Sequence, residues 1–214
     1  MYEELKVKIV EVMKFLEEKG LNYGKSGNAS VLVRSKGHVV ITPSGLDKSK
    51  LKPEDVVVTD LEGRVIEGFH RPSSELPLHL AIYREYKHFN AVIHAHTIYS
   101  TVLSVIRNPL PPILEELVLY TGGDVRVAEY ALSGTWTLAE NVVKALKDRS
   151  AVMLANHGLV ACGRTLEEAL EVLVLVERAA QIYVLSRMLG SVSPLPPSSI
   201  EFQKRIYTER VGSS

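Results

Sequence analysis

The sequence lacks several features that would assign it to a specialised class of protein. It has one cysteine, Cys162, which excludes an internal disulfide framework and fits a reducing compartment. Its 25 basic and 25 acidic residues cancel without long runs of either sign, so nothing indicates a nucleic acid or an acidic membrane as a partner. No apolar run reaches the ~18–20 residues of a membrane helix, and no leader pattern is visible. We therefore expect a cytoplasmic protein.

The chain does have the composition of an ordinary globular domain, with 46% hydrophobic and 23% charged residues. Helical and strand patterns alternate along residues 1–190, and the early strands lie close together, as in hairpins. This pattern predicts one α/β domain of the α+β type, with three layers and a mostly antiparallel central sheet flanked by helices. Closely spaced prolines then begin a C-terminal tail over residues 191–214.

Local signals predict where two of the helices begin. Ser73 or Ser74 is expected to cap a helix over residues 75–86. Thr137 and Glu140 have the spacing of a capping box, which predicts a second helix from there to about residue 146.

Three histidines lie at the ends of predicted strands. His94 and His96 end the apolar run at 91–97, and alternate residues of a strand share a face. His157 ends another apolar run and precedes Gly158, where a turn is expected. Either motif alone is common in structural roles, but three imidazoles with an open fourth position are a frequent catalytic zinc arrangement. Together they predict a zinc site.

A carboxylate and several small polar residues accompany the histidines. Glu75 lies at a predicted helix start, where the helix dipole alone is enough to favour a negative charge. The functional alternative is that Glu75 is a metal ligand or general base. Backbone amides at that helix start and in glycine-bearing turns can bind phosphate, although each turn alone is ordinary. The segments of this kind are Gly27-Asn28-Ala29-Ser30, Thr42-Pro43-Ser44-Gly45 and Ser73-Ser74.

Five motifs follow one another along the chain: Gly27-Asn28, Thr42-Pro43-Ser44-Gly45, Ser73-Ser74-Glu75, His94-Ala95-His96-Thr97 and Asn156-His157-Gly158. In this order and spacing they resemble the class II aldolase/adducin-head family, and within it the zinc-dependent L-fuculose-1-phosphate aldolases. The resemblance covers about residues 1–190. It implies a phosphorylated sugar substrate and a homotetramer with active sites at subunit interfaces. It also implies Zn²⁺ held by His94, His96 and His157, with Glu75 as the catalytic acid/base that also binds the metal when substrate is absent. The residues that it implies for the substrate phosphate are Gly27, Asn28, Ser44, Gly45, Ser73 and Ser74.

The implied reaction is the reversible cleavage of L-fuculose 1-phosphate, or a close ketose 1-phosphate, to dihydroxyacetone phosphate and L-lactaldehyde. Zinc would act as a Lewis acid, and Glu75 would move the proton at C3. A second proton donor must serve the aldehyde oxygen. In relatives it is a neighbouring subunit's tyrosine, but the matching position here is Glu116, whereas Tyr120 lies one turn further on. We expect Tyr120 to take this role, with Tyr207 of the tail as a candidate lid residue.

Three alternatives share the same family pattern. A pentulose-5-phosphate 4-epimerase would rebind the aldehyde in the opposite orientation, and a phosphosugar dehydratase would lose water. A non-catalytic adducin-type assembly module would not be expected to keep Glu75 and all three histidines. His79, one helical turn after Glu75, is expected to pack within the helix rather than to act in the site.

Overall fold

A mixed sheet of eight strands is the centre of the computed structural model, which describes residues 2–212. Its order is β4-β3-β2-β1-β5-β8-β7-β6, and every neighbouring pair is antiparallel except β6 and β7. This confirms the predicted, mostly antiparallel sheet. The strands are β1 (Asn28–Val33), β2 (His38–Ile41), β3 (Val57–Asp60), β4 (Val65–Glu67), β5 (Ala91–Ala95), β6 (Arg126–Ala128), β7 (Ala151–Leu154) and β8 (Gly158–Gly163).

Helices cover both faces of this sheet, which confirms the predicted three layers. Successive strand residues point to opposite faces, so Val92 enters the core beneath α2 and α5, whereas Ile93 enters the core beneath α1, α3, α4 and α6. The helices are α1 (Glu3–Glu18), α2 (Leu76–Glu85), α3 (Ile98–Val105), α4 (Glu115–Thr121), α5 (Trp136–Leu146), α6 (Leu166–Leu189) and α7 (Pro197–Gly212). Within residues 2–212, no helix has both the length and the apolarity of a membrane span.

The predicted start of α5 is wrong by two residues. Thr135 has an extended backbone, and its side chain accepts a hydrogen bond from the backbone N–H of Leu138 at 3.2 Å. Thr137 therefore already lies inside the helix, and the proposed capping box with Glu140 does not form. The third residue of the helix is Leu138, which has no side-chain acceptor for a capping box. The side chain of Thr135 therefore caps the N-terminus of α5 alone.

Most of the predicted tail forms α7, a helix that packs against α4. Tyr207 is its buried residue, and its hydroxyl lies 2.9 Å from the Oγ of Ser150. Burial raises the pKa of Tyr207 to about 12. A Cβ at Gly122 would lie 2.6 Å from the Tyr207 ring, so this glycine leaves room for the docked helix. Residues 213 and 214 of the tail lie outside the described part of the chain.

Candidate active site and metal centre

The three predicted histidines form one cluster. Their possible ligand atoms all lie within 4.8 Å of one another, and the ring centroids are 4.7 to 5.0 Å apart. His94 is fully buried, whereas His96 and His157 are partly exposed. The sequence-based prediction that these three side chains meet is therefore confirmed.

The middle of the sheet holds this cluster in place. In the sheet, His94 of β5 lies between Asn28 of β1 and Val160 of β8. His96 follows directly after β5, and His157 directly precedes β8. Because these strands are neighbours, residues far apart in sequence reach the same edge of the sheet.

The hydrogen bonds of His94 leave a nitrogen lone pair facing the cluster. Its Nδ1 lies 3.0 Å from the carbonyl oxygen of Leu159, which can only accept, so Nδ1 carries the proton. In the neutral ring Nε2 is then unprotonated, and it lies 3.1 Å from the Nε2 of His96. Burial, and then the neighbouring His94 and His157, lower the pKa of His96 to about 4. Neutral imidazoles in this arrangement are ready metal ligands.

The spacing of these atoms fits one tetrahedral ion. Ligands at ~2.0–2.1 Å from zinc lie roughly 3.3 Å from one another. The Nε2 of His94 is 3.1 Å from the Oε2 of Glu75, and the Nε2 of His157 is 3.6 Å from the Oε1 of Glu75. The three histidines and this carboxylate can therefore hold a divalent metal together.

A tight turn between β7 and β8 sets the position of His157. The turn is made by Asn156, whose φ of +56° is left-handed, and asparagine adopts this conformation more readily than most residues. Gly158, predicted to make the turn, instead begins β8. A Cβ on Gly158 would lie 2.5 Å from the carbonyl oxygen of Ala95 and 3.1 Å from the Cε1 of His94. The glycine is therefore needed for the space that it leaves beside the histidines.

Glu75 lies at the N-terminus of α2, as the N-cap residue. The predicted caps, Ser73 and Ser74, are therefore wrong. Ser73 Oγ instead accepts a hydrogen bond from the backbone N–H of Glu75 at 3.2 Å. Because Glu75 precedes the first residue of α2, this bond does not cap the helix. The carboxylate of Glu75 is buried and accepts hydrogen bonds from Asn28 at 2.8 Å and from Ser133 at 3.1 Å.

Glu75 is a carboxylate at neutral pH. Burial alone would raise its pKa, but attraction to His94 and His157, with hydrogen bonds from Asn28 and Ser133, lowers the pKa to about 2. The N-terminus of α2 adds a positive dipole end. A buried carboxylate that stays charged among these partners is suited to binding a metal.

His79 supports Glu75 from within the core. Asn28 donates to the carboxylate, so its Oδ1 faces away and accepts from the Nε2 of His79 at 2.5 Å. His79 Nδ1 then accepts from the hydroxyl of Ser30 at 2.6 Å. Burial lowers the pKa of His79 to about 3, which keeps the ring neutral. His79 is thus buried, as its predicted packing role requires, and it also forms a direct hydrogen bond with Asn28, a residue of the site.

All six candidate phosphate residues line one cleft, together with Glu75, His96 and His157. Gly27 belongs to a tight segment there, because a Cβ at this position would lie 2.7 Å from Asn22 Oδ1 and 2.8 Å from the carbonyl oxygen of His94. The two loops and the start of α2 thus present amides and hydroxyls around a single space. This is a chemically suitable surround for a phosphate group.

Sequence reasoning missed several residues of this region. Lys25, Lys48 and Ser133 line the cleft, and the ring of Tyr23 lies 6.2 Å from that of His96. Tyr23 and Lys25 flank Gly24, close to the predicted Gly27 motif, so nearness in sequence could have indicated them. Ser133 comes from the loop before α5 and had no signal of its own.

The three candidates for the second proton donor do not line this cleft. Arg210 stacks over the ring of Tyr120, 4.5 Å from its centroid. Glu116 is exposed on α4, and Tyr207 is buried against Ser150, at the end of β7 opposite to His157. Within residues 2–212 of one chain, none of them meets the histidine cluster.

Comparisons with known proteins agree with this geometry. The family model described as Class II Aldolase and Adducin N-terminal domain matches residues 7–184, a span that includes the whole cleft. A Bacillus thuringiensis protein named 5-deoxy-D-ribulose 1-phosphate aldolase is 40% identical over 90% of both chains. An Escherichia coli protein named L-fuculose phosphate aldolase is 37% identical over 90% of this chain and 87% of its own. A solved L-fuculose 1-phosphate aldolase has a TM-score of 0.92, with 41% identity over 96% of both chains.

Proposed function

The chain belongs to the class II aldolase and adducin N-terminal domain family and is a lyase, and we propose that it reversibly cleaves L-fuculose 1-phosphate or a close ketose 1-phosphate. The products are dihydroxyacetone phosphate and an aldehyde, which is L-lactaldehyde for L-fuculose 1-phosphate. The observation that carries the proposal is the single cleft that joins Glu75, the histidine cluster and the small polar residues.

A second substrate follows from the relative named for 5-deoxy-D-ribulose 1-phosphate. Both ketose phosphates contain the same first three carbons, so the same metal and phosphate contacts serve either one. Cleavage between C3 and C4 would then release acetaldehyde instead of L-lactaldehyde. The residues that contact the aldehyde product would determine which of the two substrates is preferred.

The family is metal-dependent, and His94, His96 and His157 form the site. We infer Zn²⁺ as the ion, because neutral imidazole nitrogens with one carboxylate suit a borderline cation. When bound, the metal supplies a Lewis acid for the negative charge that develops as the carbon–carbon bond breaks.

Glu75 moves the proton at C3 in this proposal. In the direction of synthesis, its carboxylate removes a C3 proton from dihydroxyacetone phosphate. In the direction of cleavage, its protonated form returns a proton to C3 while the C4 hydroxyl loses its own. Asn28 and Ser133 hold the carboxylate in position by hydrogen bonds at 2.8 and 3.1 Å. A base held in this way needs little reorganisation during the reaction.

The phosphate of the substrate binds Gly27, Asn28, Ser44, Gly45, Ser73 and Ser74. This contact is remote from the bond that breaks, so its binding energy orients the reacting carbons. The N-terminus of α2 adds amides and a positive dipole end to the same place.

The second proton donor comes from a neighbouring subunit, which completes the site in a homotetramer. Tyr120 is our candidate and Glu116 the alternative, because neither lines the cleft of its own chain. Tyr207, expected as a lid residue, is instead buried against Ser150 and is not part of the proposal. An apolar surface supports such an assembly. We call it the α3/α6 face, and it consists of Ile98, Val102, Val105, Ile106, Leu185, Met188 and Leu189, each at least 43% exposed.

A cytoplasmic location, consistent with the single buried cysteine, is part of the proposal.

Product analysis on a panel of ketose phosphates tests this function. We expect metal-loaded protein to release dihydroxyacetone phosphate from ketose 1-phosphates, and the aldehyde formed identifies the substrate. An epimerase would conserve the carbon count, and a dehydratase would form a diketo product. Failure to release dihydroxyacetone phosphate from any ketose 1-phosphate would reject the proposal.

Two variants assign the roles within the site. His94→Ala should lose both the metal and turnover, whereas His70→Ala, outside the cleft, should keep both. Glu75→Gln should slow the exchange of the C3 proton of dihydroxyacetone phosphate with deuterated solvent by ~10²-fold or more, as expected for loss of a general base. Retention of stoichiometric metal by His94→Ala would contradict the ligand assignment.

A further inference from the structure

Lys48 is buried beside the cleft without an ion pair. The residue is 1% exposed and lines the cleft. Its Nζ donates to the carbonyl oxygens of Leu46 at 3.0 Å and Lys25 at 3.2 Å. In the described part of the chain, these carbonyls are its hydrogen-bond partners, and no carboxylate forms an ion pair with it. Buried lysines are rarely left without an anion, so this one calls for a functional explanation.

The two carboxylates that attract Lys48, Glu17 and Asp47, accept hydrogen bonds from other groups. Glu17 accepts from the side chain of Asn22 and from the N–H of Gly24, each at 3.1 Å. Asp47 accepts from the N–H and the hydroxyl of Ser49. Both attract Lys48 only from a distance, and burial lowers its pKa. The positive charge of Lys48 is therefore only partly balanced.

Lys48 also joins the two loops that form the cleft. Its backbone N–H donates to the carbonyl oxygen of Gly24 at 2.8 Å, next to the contact of its Nζ with Lys25. These contacts tie the loop before Gly27 to the loop after Gly45. Two of the three ammonium protons bind carbonyl oxygens, which leaves one for another acceptor.

We propose that Lys48 is the buried cation that binds the phosphate dianion of the substrate, an inference that rests on the proposed function. The glycine and serine residues of the cleft provide directional hydrogen bonds but no charge. Lys48 provides the buried charge, whereas Lys25, which also lines the cleft, is exposed. A phosphate monoester would balance the charge of Lys48 at a site where attraction is stronger than in water. The cleft therefore selects phosphorylated over unphosphorylated sugars.

Binding of inorganic phosphate to the metal-loaded, full-length protein tests this role. Lys48→Gln keeps a side-chain donor for the two carbonyl oxygens but removes the charge. We expect its phosphate dissociation constant, measured by calorimetry, to rise at least ~10-fold, the loss expected for a charge-assisted contact. Lys50→Gln is the matched control, because its side chain is 83% exposed, and it should change the constant by less than about twofold.

Lys48→Arg keeps the charge and should bind phosphate nearly as well as the wild type. Wild-type affinity in Lys48→Gln, or the absence of phosphate binding by the wild type, would overturn the inference. If Lys48→Gln does not fold, side-chain NMR of lysine in the wild-type protein decides, because bound phosphate should raise the pKa of Lys48. An unchanged pKa would reject the proposed contact.

This experiment is independent of turnover. Phosphate binding through Lys48 in a protein that cleaves no ketose 1-phosphate would reject the proposed function alone. Conversely, an active aldolase whose KM is unchanged by Lys48→Gln would reject the role of Lys48 alone. A contact with the non-reacting phosphate should raise KM more than it lowers kcat.

Discussion

At the residue scale, the histidine cluster depends on a position that has no side chain. Gly158 leaves space for the backbone at Ala95 and for the rings of His94 and His96, and its φ is not left-handed. Its role is therefore steric rather than conformational. Backbone atoms cannot move aside as a flexible side chain can, so an added methyl group must displace the ligands.

We expect Gly158→Ala to weaken metal binding by about 10- to 100-fold, the range found when groups that orient metal ligands are changed. Competition with a chelator measures this affinity. Gly190→Ala is a suitable control, because a Cβ there would have no neighbour within 4 Å and its φ of 170° is accessible to any residue. Wild-type metal affinity in Gly158→Ala would show that the strands adjust freely.

The buried ring of His79 should make folding sensitive to acid. Its pKa is about 3 in the folded protein, against about 6.5 when unfolded. Between these values the unfolded chain binds the extra proton. The free energy of unfolding should therefore fall, as the pH drops below 6.5, by about 1.4 kcal/mol per pH unit for this group.

His79→Gln removes this titration while its amide can still donate to Asn28 and accept from Ser30. We expect the stability of the metal-free variant to depend less steeply on pH between 4.5 and 6.5. Urea unfolding at several pH values provides the comparison. Equal slopes for the two proteins would mean that His79 does not stay neutral in the folded state.

At the scale of elements, the end of α5 contains avoidable strain. Lys147 closes the helix with φ of 47° and ψ of −108°, a conformation that residues with a Cβ rarely adopt. Glycine takes this conformation without a steric cost, although it adds freedom to the unfolded chain.

Lys147→Gly should therefore stabilise the protein by about 1 kcal/mol. Lys144→Gly, three residues earlier on the exposed side of α5, should destabilise it by about 1 kcal/mol, because glycine is unfavourable inside a helix. Thermal and urea unfolding of the two variants measure this difference in sign. A destabilised Lys147→Gly protein would indicate that the lysine side chain contributes more than its backbone strain costs.

The elements also differ in how much of them the sequence reveals. The spacing of His94 and His96 is enough to predict both the strand and the shared site, because alternation is a local property. By contrast, α7 has little amphipathic pattern and buries Tyr207 on a surface formed by distant residues such as Gly122. Its closely spaced prolines predict only where it begins. The burial of Lys48 could not be predicted either, because it depends on contacts with the distant loop that contains Gly24 and Lys25.

At the scale of the whole molecule, the layered architecture follows from the alternation of strand and helix patterns, but the assembly does not. On α3, the exposed apolar residues recur at helical spacing, and Met188 and Leu189 of α6 extend the same surface. Exposed patches of this kind usually form contacts with another protein. The proposed tetramer would cover them.

Ile106→Asp should disrupt assembly, because it places a charge on the α3/α6 face where Ile106 is 64% exposed. Light scattering after size-exclusion chromatography gives the mass, and activity should fall with it. Phe69→Asp, at a 97% exposed position after β4, is the control and should leave the mass unchanged. A wild-type mass for Ile106→Asp would exclude this face as a subunit contact.

The position of the histidine cluster in mid-sheet has a consequence for how the protein matures. Asn28 and Glu75 are 47 residues apart, Ser133 and Glu75 are 58 apart, and His94 and Leu159 are 65 apart. Closing such long loops costs entropy that local contacts cannot offset, so the complete ligand set forms only when the central strands have paired. A nascent chain that ends before β8 therefore lacks part of the ligand set. We expect metal uptake to follow the pairing of the central strands, and metal loss to accompany their separation.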